Sequence, residues 1–168
     1  MLFIQNNLRS DMLDKIMLFF TYLGKTGLVW IVPGIILLFF KKHRKYGIML
    51  LISLIITYIF GEFILKNLIG RVRPFYMIEN INVPIAFNES SSFPSVHAAT
   101  SFASFWIILK FNKTLGWVAL LIASLIAFSR VYLFAHYPTD ILGGAILGIL
   151  CAWIVLTVHQ KFFENKIY

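Results

Sequence analysis

Three short strings hold most of the ionisable residues in this chain that could do chemistry. They are Lys66-Asn67-Leu68-Ile69-Gly70-Arg71-Val72-Arg73-Pro74, Pro94-Ser95-Val96-His97, and Ser129-Arg130 running through His136 to Asp140. Lys66, Arg73 and Arg130 are cations suited to a dianionic phosphate, each guanidinium fork able to donate to two oxygens. His136 and Asp140 are four positions apart, so a helical turn or a tight turn at Pro138 sets the carboxylate beside the imidazole. A carboxylate that accepts from one ring nitrogen fixes the tautomer and leaves the other nitrogen free to attack phosphorus. His97 is then a second histidine, able to protonate the departing oxygen. It follows a proline and opens an apolar run, where the free amides of a helix N-terminus add anion-binding capacity and Ser95 and the Val96 amide supply further donors.

These strings must be positioned by membrane helices. Of the 168 residues, 60% are hydrophobic and 13% charged, against roughly 45–50% and about 25% in soluble domains; the mean hydropathy is +0.83. The length suits one unit, a single integral membrane domain over residues 1–168. Apolar segments run over about 12–24, 27–40, 46–67, 97–110, 114–134 and 139–160, and the third, fifth and sixth approach the ~20 residues that cross a bilayer. The expected fold is all-α, a polytopic bundle of about six transmembrane helices. The first two segments are short, Gly24-Lys25-Thr26-Gly27 reads as a tight helical hairpin turn between them, and Pro33 reads as a kink.

The basic turn Lys41, Lys42, Arg44 and Lys45 assigns its side to the cytoplasm. Alternating the spans puts Arg9, Lys15, Lys110, Lys113, Lys161 and Lys166 on that side too. Asn67 to Pro94 and the turn from His136 to Thr139 then face outward, with residues 75–93 as a surface loop. All three strings therefore meet at one extracytoplasmic face of a multi-pass protein of the cell membrane. The net charge of +8 falls in clusters between apolar runs, where it meets lipid headgroups rather than nucleic acid. Cys151 is the single cysteine, so the chain can form no internal disulfide. The first residues, MLFIQNNLRSDMLDK, lack the basic start and cleavage site of a removable signal peptide.

The three strings resemble the signature of the type 2 phosphatidic acid phosphatase family, K-x6-RP, PSGH and SR-x5-H-x3-D. The first and third match without a gap; the second has Val96 where the family usually has glycine, which narrows the backbone angles and adds bulk beside the phosphate. The resemblance spans residues 66–140, while residues 1–60 match only in being hydrophobic. It implies hydrolysis of a lipid phosphate or diphosphate through a phosphohistidine, without metal or other cofactor. His136 would attack, Asp140 orient it, and His97 act as the acid that then activates water. Lys66, Arg73, Ser95, the Val96 amide and Arg130 would hold the phosphoryl oxygens. Undecaprenyl diphosphate is the first choice of substrate, with phosphatidylglycerophosphate, phosphatidate and lipid A as alternatives.

Other readings compete with this one. A transporter or channel would spread its charges along the depth of the bundle, and a soluble vanadate haloperoxidase would not need the apolar spans. Two histidines and an aspartate could ligate zinc, but the surrounding cations oppose a divalent ion. Arg71 matches no fixed position and reads as a headgroup anchor or a contact near the phosphate. Glu62, four residues before Lys66, reads as its ion-pair partner. Trp30, Trp106, Trp117 and Trp153 read as lipid-facing and interfacial packing.

Overall fold

A computed structural model of the chain describes residues 4, 7–77 and 91–164. Helix α1 is Asp11–Lys25, α2 Leu28–Phe39 and α3 Arg44–Tyr58. α3 runs on through a wide π-helical segment, Ile59–Leu65, into the short α4, Lys66–Ile69. One further turn, α5, spans Pro74–Met77. α6 is Val96–Phe111, α7 Lys113–Tyr132 and α8 Pro138–His159. Among the described residues there is no strand, and the six long helices α1, α2, α3, α6, α7 and α8 form the expected bundle.

Each start has a local cause. Ser10 caps α1 by accepting from Leu13 N at 3.3 Å, with Asp11 and Asp14 in the first turn, where carboxylates meet the positive end of the helix. Asn112 caps α7 through Leu115 N at 3.0 Å. Pro138 opens α8, a position where the missing N–H would have had no helical partner.

α6 lies at the centre, packed on α3, α7 and α8. Its contact with α8 is unusually close. A Cβ at Gly144 would fall 2.4 Å from Ser95 O, and one at Gly148 would fall 2.0 Å from Ala99 O. Only glycine therefore lets the two backbones approach this far, the small-residue packing that helices use where lipid gives no hydrophobic drive between them. Trp30, Met49, Leu50, Phe105, Ala123 and Ile126 fill the core below. Trp30 is 2% exposed and donates to Ser101 Oγ at 3.0 Å, so it is a core residue rather than the lipid-facing one expected. Trp117 and Trp153 do face outward.

Large apolar side chains such as Phe19, Val32, Ile55, Leu121 and Ile146 are exposed around the bundle, which is stable only where the surrounding medium is itself apolar. Arg44–Met77, Lys113–Tyr132 and Pro138–Phe162 are each long and apolar enough to cross a membrane. The chain is a multi-pass membrane protein.

The first two helices depart from expectation. Their axes differ by 46°, so they follow one bent path and do not fold back as a hairpin. Contacts along that path agree. Asp14 accepts from Tyr132 Oη at 2.6 Å, Thr21 Oγ1 is 3.0 Å from Ser129 Oγ, Gly24 lies against Ile126, and Gly34 lies against Leu51 and Gly47. α1 thus starts beside the end of α7 and runs down toward its middle, and α2 continues to the basic turn at residues 41–45. At 1.5 Å per residue the two helices span about 22 Å and about 18 Å, neither sufficient alone to cross ~30 Å of hydrocarbon. Consequently Arg9 and Lys15 lie at the end of the bundle that carries the three strings, opposite to the side expected from alternation. The bend falls at Thr26-Gly27, where Gly27 takes φ +66; α2 continues through Pro33. Of the loop expected over residues 75–93, Pro74–Met77 is helical, residues 78–90, with Pro84 and Ser90, lie outside the described residues, and Ser92 is fully buried. Lys166 also lies outside them.

The bent path has a direct test. In a Cys151→Ala background, Ser10→Cys and Asn67→Cys should react with a membrane-impermeant thiol reagent from one side of oriented vesicles, and His43→Cys from the other. Labelling of Ser10→Cys from the His43 side would restore the hairpin.

Candidate active site

Lys66, Arg73, Ser95, Arg130, His136 and Asp140 are all buried, and with Val96 and His97 they meet at the same end of the bundle. Lys66 sits where the π-helical segment tightens into α4, and its ammonium is 2.6 Å from Glu62 Oε2. Gly70, at φ +62, ends that helix and turns the chain toward Arg71 and Arg73. Arg130 lies in the last turn of α7. Beyond it the chain doubles back, the amides of Ala135 and His136 both donating to Arg130 O at 3.0 and 3.2 Å, with Phe134 forced to φ 57. A non-glycine residue in that region is held there by its surroundings; Arg73 Nη1 supplies one clamp by donating to Ala135 O at 3.1 Å. Ser95 N donates to Asp140 O at 3.0 Å, so the second and third strings are joined through their backbones.

The imidazole of His136 is 2% exposed in side-chain terms. Its Nδ1 is 2.6 Å from the carbonyl oxygen of Ser92. A carbonyl only accepts, so Nδ1 carries the proton and Nε2 carries the lone pair. Burial pushes the His136 imidazolium down to about 4, opposed by Asp140 and reinforced by Arg130 and Arg73, so the free ring is neutral at neutral pH. Asp140 Oδ2 stands 3.7 Å from Nδ1, outside hydrogen-bond reach. Its oxygens are taken by Ser92 Oγ at 2.6 Å, Tyr137 N at 2.8 Å and Arg71 Nη1 at 2.7 Å. Ser92 therefore bridges the pair, its hydroxyl on the carboxylate and its carbonyl on the ring.

Sequence reasoning placed Ser92 in a surface loop and left Arg71 between two roles. In the structure Arg71 spans from Asp140 to Thr139 Oγ1, at 2.7 Å, and lies 4.0 Å over the Tyr137 ring. Thr21 had no signal in the sequence at all. It is 2% exposed, and its Oγ1 accepts from Arg130 Nη1 at 2.8 Å, so α1 positions a motif residue from the part of the chain outside the motifs. Val96 is also accommodated: its Cγ2 would be 3.0 Å from a Cβ on Gly61, so a residue without a side chain on the π-helical segment makes room for the extra bulk.

Between these groups lies a cavity of about 720 Å³, walled at one end by Lys66, Arg73, His97, Arg130 and His136 and at the other by Ile31, Leu51, Leu54, Ile55 and Ile59. The Nε2 of His97 is buried on its wall with no hydrogen-bond partner among the described residues. A charged end and an apolar arm suit a ligand that is anionic at one end and hydrocarbon at the other. No three His, Cys, Asp or Glu side chains among the described residues are grouped to hold a metal.

The sequence pattern of the PAP2 superfamily matches residues 45–164. The chain belongs to that superfamily. It is 33% identical over 120 residues to the bacitracin transport permease protein BcrC of Bacillus licheniformis, covering 71% of this chain and only 59% of that protein's length. Over 156 residues it is 33% identical to an undecaprenyl-diphosphatase of Sulfolobus acidocaldarius, covering 92% of this chain and 75% of the relative. A crystal structure of a transmembrane PAP2 type phosphatidylglycerolphosphate phosphatase from Bacillus subtilis superposes with a TM-score of 0.74 at 30% identity, over 92% of this chain and 80% of that one. The PAP2 membership and helical membrane architecture expected from the three strings are thereby borne out, and so is the phosphatase class. The PAP2 match begins at residue 45, so α1 and α2 lie outside it even though Thr21 reaches the site.

Removing that reach should be measurable. Thr21→Val keeps the shape but takes the hydroxyl from Arg130. Losing one hydrogen bond to a charged group costs about 1.5–3 kcal/mol. Thr21→Val should therefore lower the melting temperature by several degrees and raise KM for a lipid phosphate, and Thr21→Ser should restore both.

Proposed function

We propose that the chain, acting as one domain, is a membrane lipid phosphatase that hydrolyses a lipid phosphate or diphosphate through a phosphohistidine on His136. The observation that carries this reading is the fixed tautomer of His136. With Nδ1–H held by Ser92 O, Nε2 offers its lone pair to the cavity that the cations line.

In this mechanism Lys66, Arg73 and Arg130 bind the phosphoryl oxygens. Ser95 Oγ accepts from Ala98 N at 3.4 Å, which leaves its O–H to donate to the phosphate, and the Val96 amide lies in the first turn of α6, where it has no helical acceptor. His136 Nε2 attacks phosphorus as the P–O bond to the lipid breaks, and His97 gives a proton to the departing oxygen. A water that gives a proton back to His97 then attacks phosphorus, the P–N bond breaks, and phosphate leaves with both histidines restored. Asp140, one bridge away through Ser92, stabilises the positive charge that builds on the His136 ring.

Undecaprenyl diphosphate, cleaved to undecaprenyl phosphate, is the substrate we favour, supported by the name of the S. acidocaldarius relative. Phosphatidylglycerophosphate is the next choice, supported by the B. subtilis structure, and phosphatidate and lipid A follow. A transport role is the one in the name of the B. licheniformis relative; the gathering of Lys66, Arg73, Arg130 and His136 at one end of the bundle favours hydrolysis. We place the protein in the cell membrane with the site on the extracytoplasmic side, because Lys41, Lys42, Arg44, Lys45, Lys110 and Lys113 gather at the other end.

Detergent-solubilised protein should release inorganic phosphate from at least one of these lipids, and the ratio of rates among them would rank the substrates. His136→Ala should lower turnover at least ~10³-fold, EDTA should have no effect, and vanadate should inhibit. Near-normal turnover by His136→Ala would remove it as the nucleophile.

A further inference from the structure

Among the described residues, one cation on the cavity wall belongs to none of the three strings. Lys25, in the last turn of α1, lines it together with Tyr22 and Thr26. Among the described residues it makes no ion pair, and its ammonium lies 5.8 Å from the centre of the Tyr22 ring. A lysine at a helix C-terminus interacts favourably with the helix dipole, but that does not explain why it lines the cavity. Its depth is informative. Thr21 meets Arg130 at the level of the phosphate cluster, whereas Gly24 lies against Ile126, one turn deeper along α7, and against the ring of His97. Lys25 is therefore about one helical turn, ~5.4 Å, further into the membrane than Thr21. Lys25 is exposed and follows Gly24 beside His97, on the wall of the cavity that also carries Ile31, Leu54, Ile55 and Ile59. An ionisable residue kept within a membrane span marks a polar partner at that depth.

A lipid diphosphate in this cavity would place its terminal phosphate at His136 and its hydrocarbon in the apolar arm, so its lipid-linked phosphate would fall at the level of Lys25. We propose that Lys25 binds the lipid-linked phosphate of a diphosphate substrate and so selects diphosphates over monophosphates, an inference that rests on the phosphatase reading above. The break at Thr26-Gly27 presents this lysine to the cavity, because it interrupts the span at that depth.

The test compares kcat/KM on a polyprenyl diphosphate and on phosphatidate for the wild type, Lys25→Gln and Lys25→Arg. The ratio of diphosphate to monophosphate efficiency should fall at least tenfold in Lys25→Gln and stay within about threefold of wild type in Lys25→Arg. An unchanged ratio in Lys25→Gln, whether both efficiencies fall together or neither does, overturns the inference. So does a wild type that hydrolyses phosphatidate but no diphosphate, which leaves the phosphatase reading standing. A folded wild type that releases phosphate from neither lipid removes that reading and this inference with it.

Discussion

The close contact between α6 and α8 fixes everything else in the site. Gly144 and Gly148 leave no room for a Cβ against Ser95 O and Ala99 O, and in that contact Ser95 N reaches Asp140 O. His97 rides on one of these helices, and His136 is held by the turn that leads into the other. A separation larger by the width of a methyl group would break the backbone bond between the second and third strings. It would also shift His97 relative to His136, on which the proposed displacement at phosphorus depends.

A second constraint is charge. Lys66, Arg73 and Arg130 are each less than 10% exposed, and cations placed together in a medium of low polarity repel one another and lose hydration. The structure meets part of that cost with oxygens: Glu62 at Lys66, Ala135 O at Arg73 and Thr21 at Arg130. Glu62 is a carboxylate and the other two partners are neutral oxygens, and in the proposed mechanism a phosphate dianion adds negative charge to the cluster. Burial first, and then Arg130 and Arg73, keep the His136 ring neutral, the form that the proposed attack requires.

Much of this was legible in the sequence. Composition specified a helical membrane bundle, the apolar segments matched the long helices to within a few residues, and the spacing Lys66 to Arg73 and Arg130 to Asp140 named the residues that converge. Three features were not legible, for physical reasons. Two apolar segments joined by Gly24-Lys25-Thr26-Gly27 suit a hairpin or a bent span equally well, since glycine permits both and only packing on α7 and α3 decides. Thr21 and Ser92 are uncharged residues in stretches without a motif, and their roles come from long-range contacts to Arg130 and Asp140. Val96 looked like added bulk beside the phosphate because the compensating Gly61 lies in another helix.

The central claim is that His136 Nε2 becomes covalently bonded to phosphorus. Its most direct test is rapid acid-free quenching of the protein with a lipid substrate carrying ³²P in its terminal phosphate, followed by peptide mapping. The account predicts label on the peptide containing His136, stable in base and lost in acid, and absent in His136→Gln. Label on His97, or turnover with no protein-bound phosphate at any quench time, would contradict it.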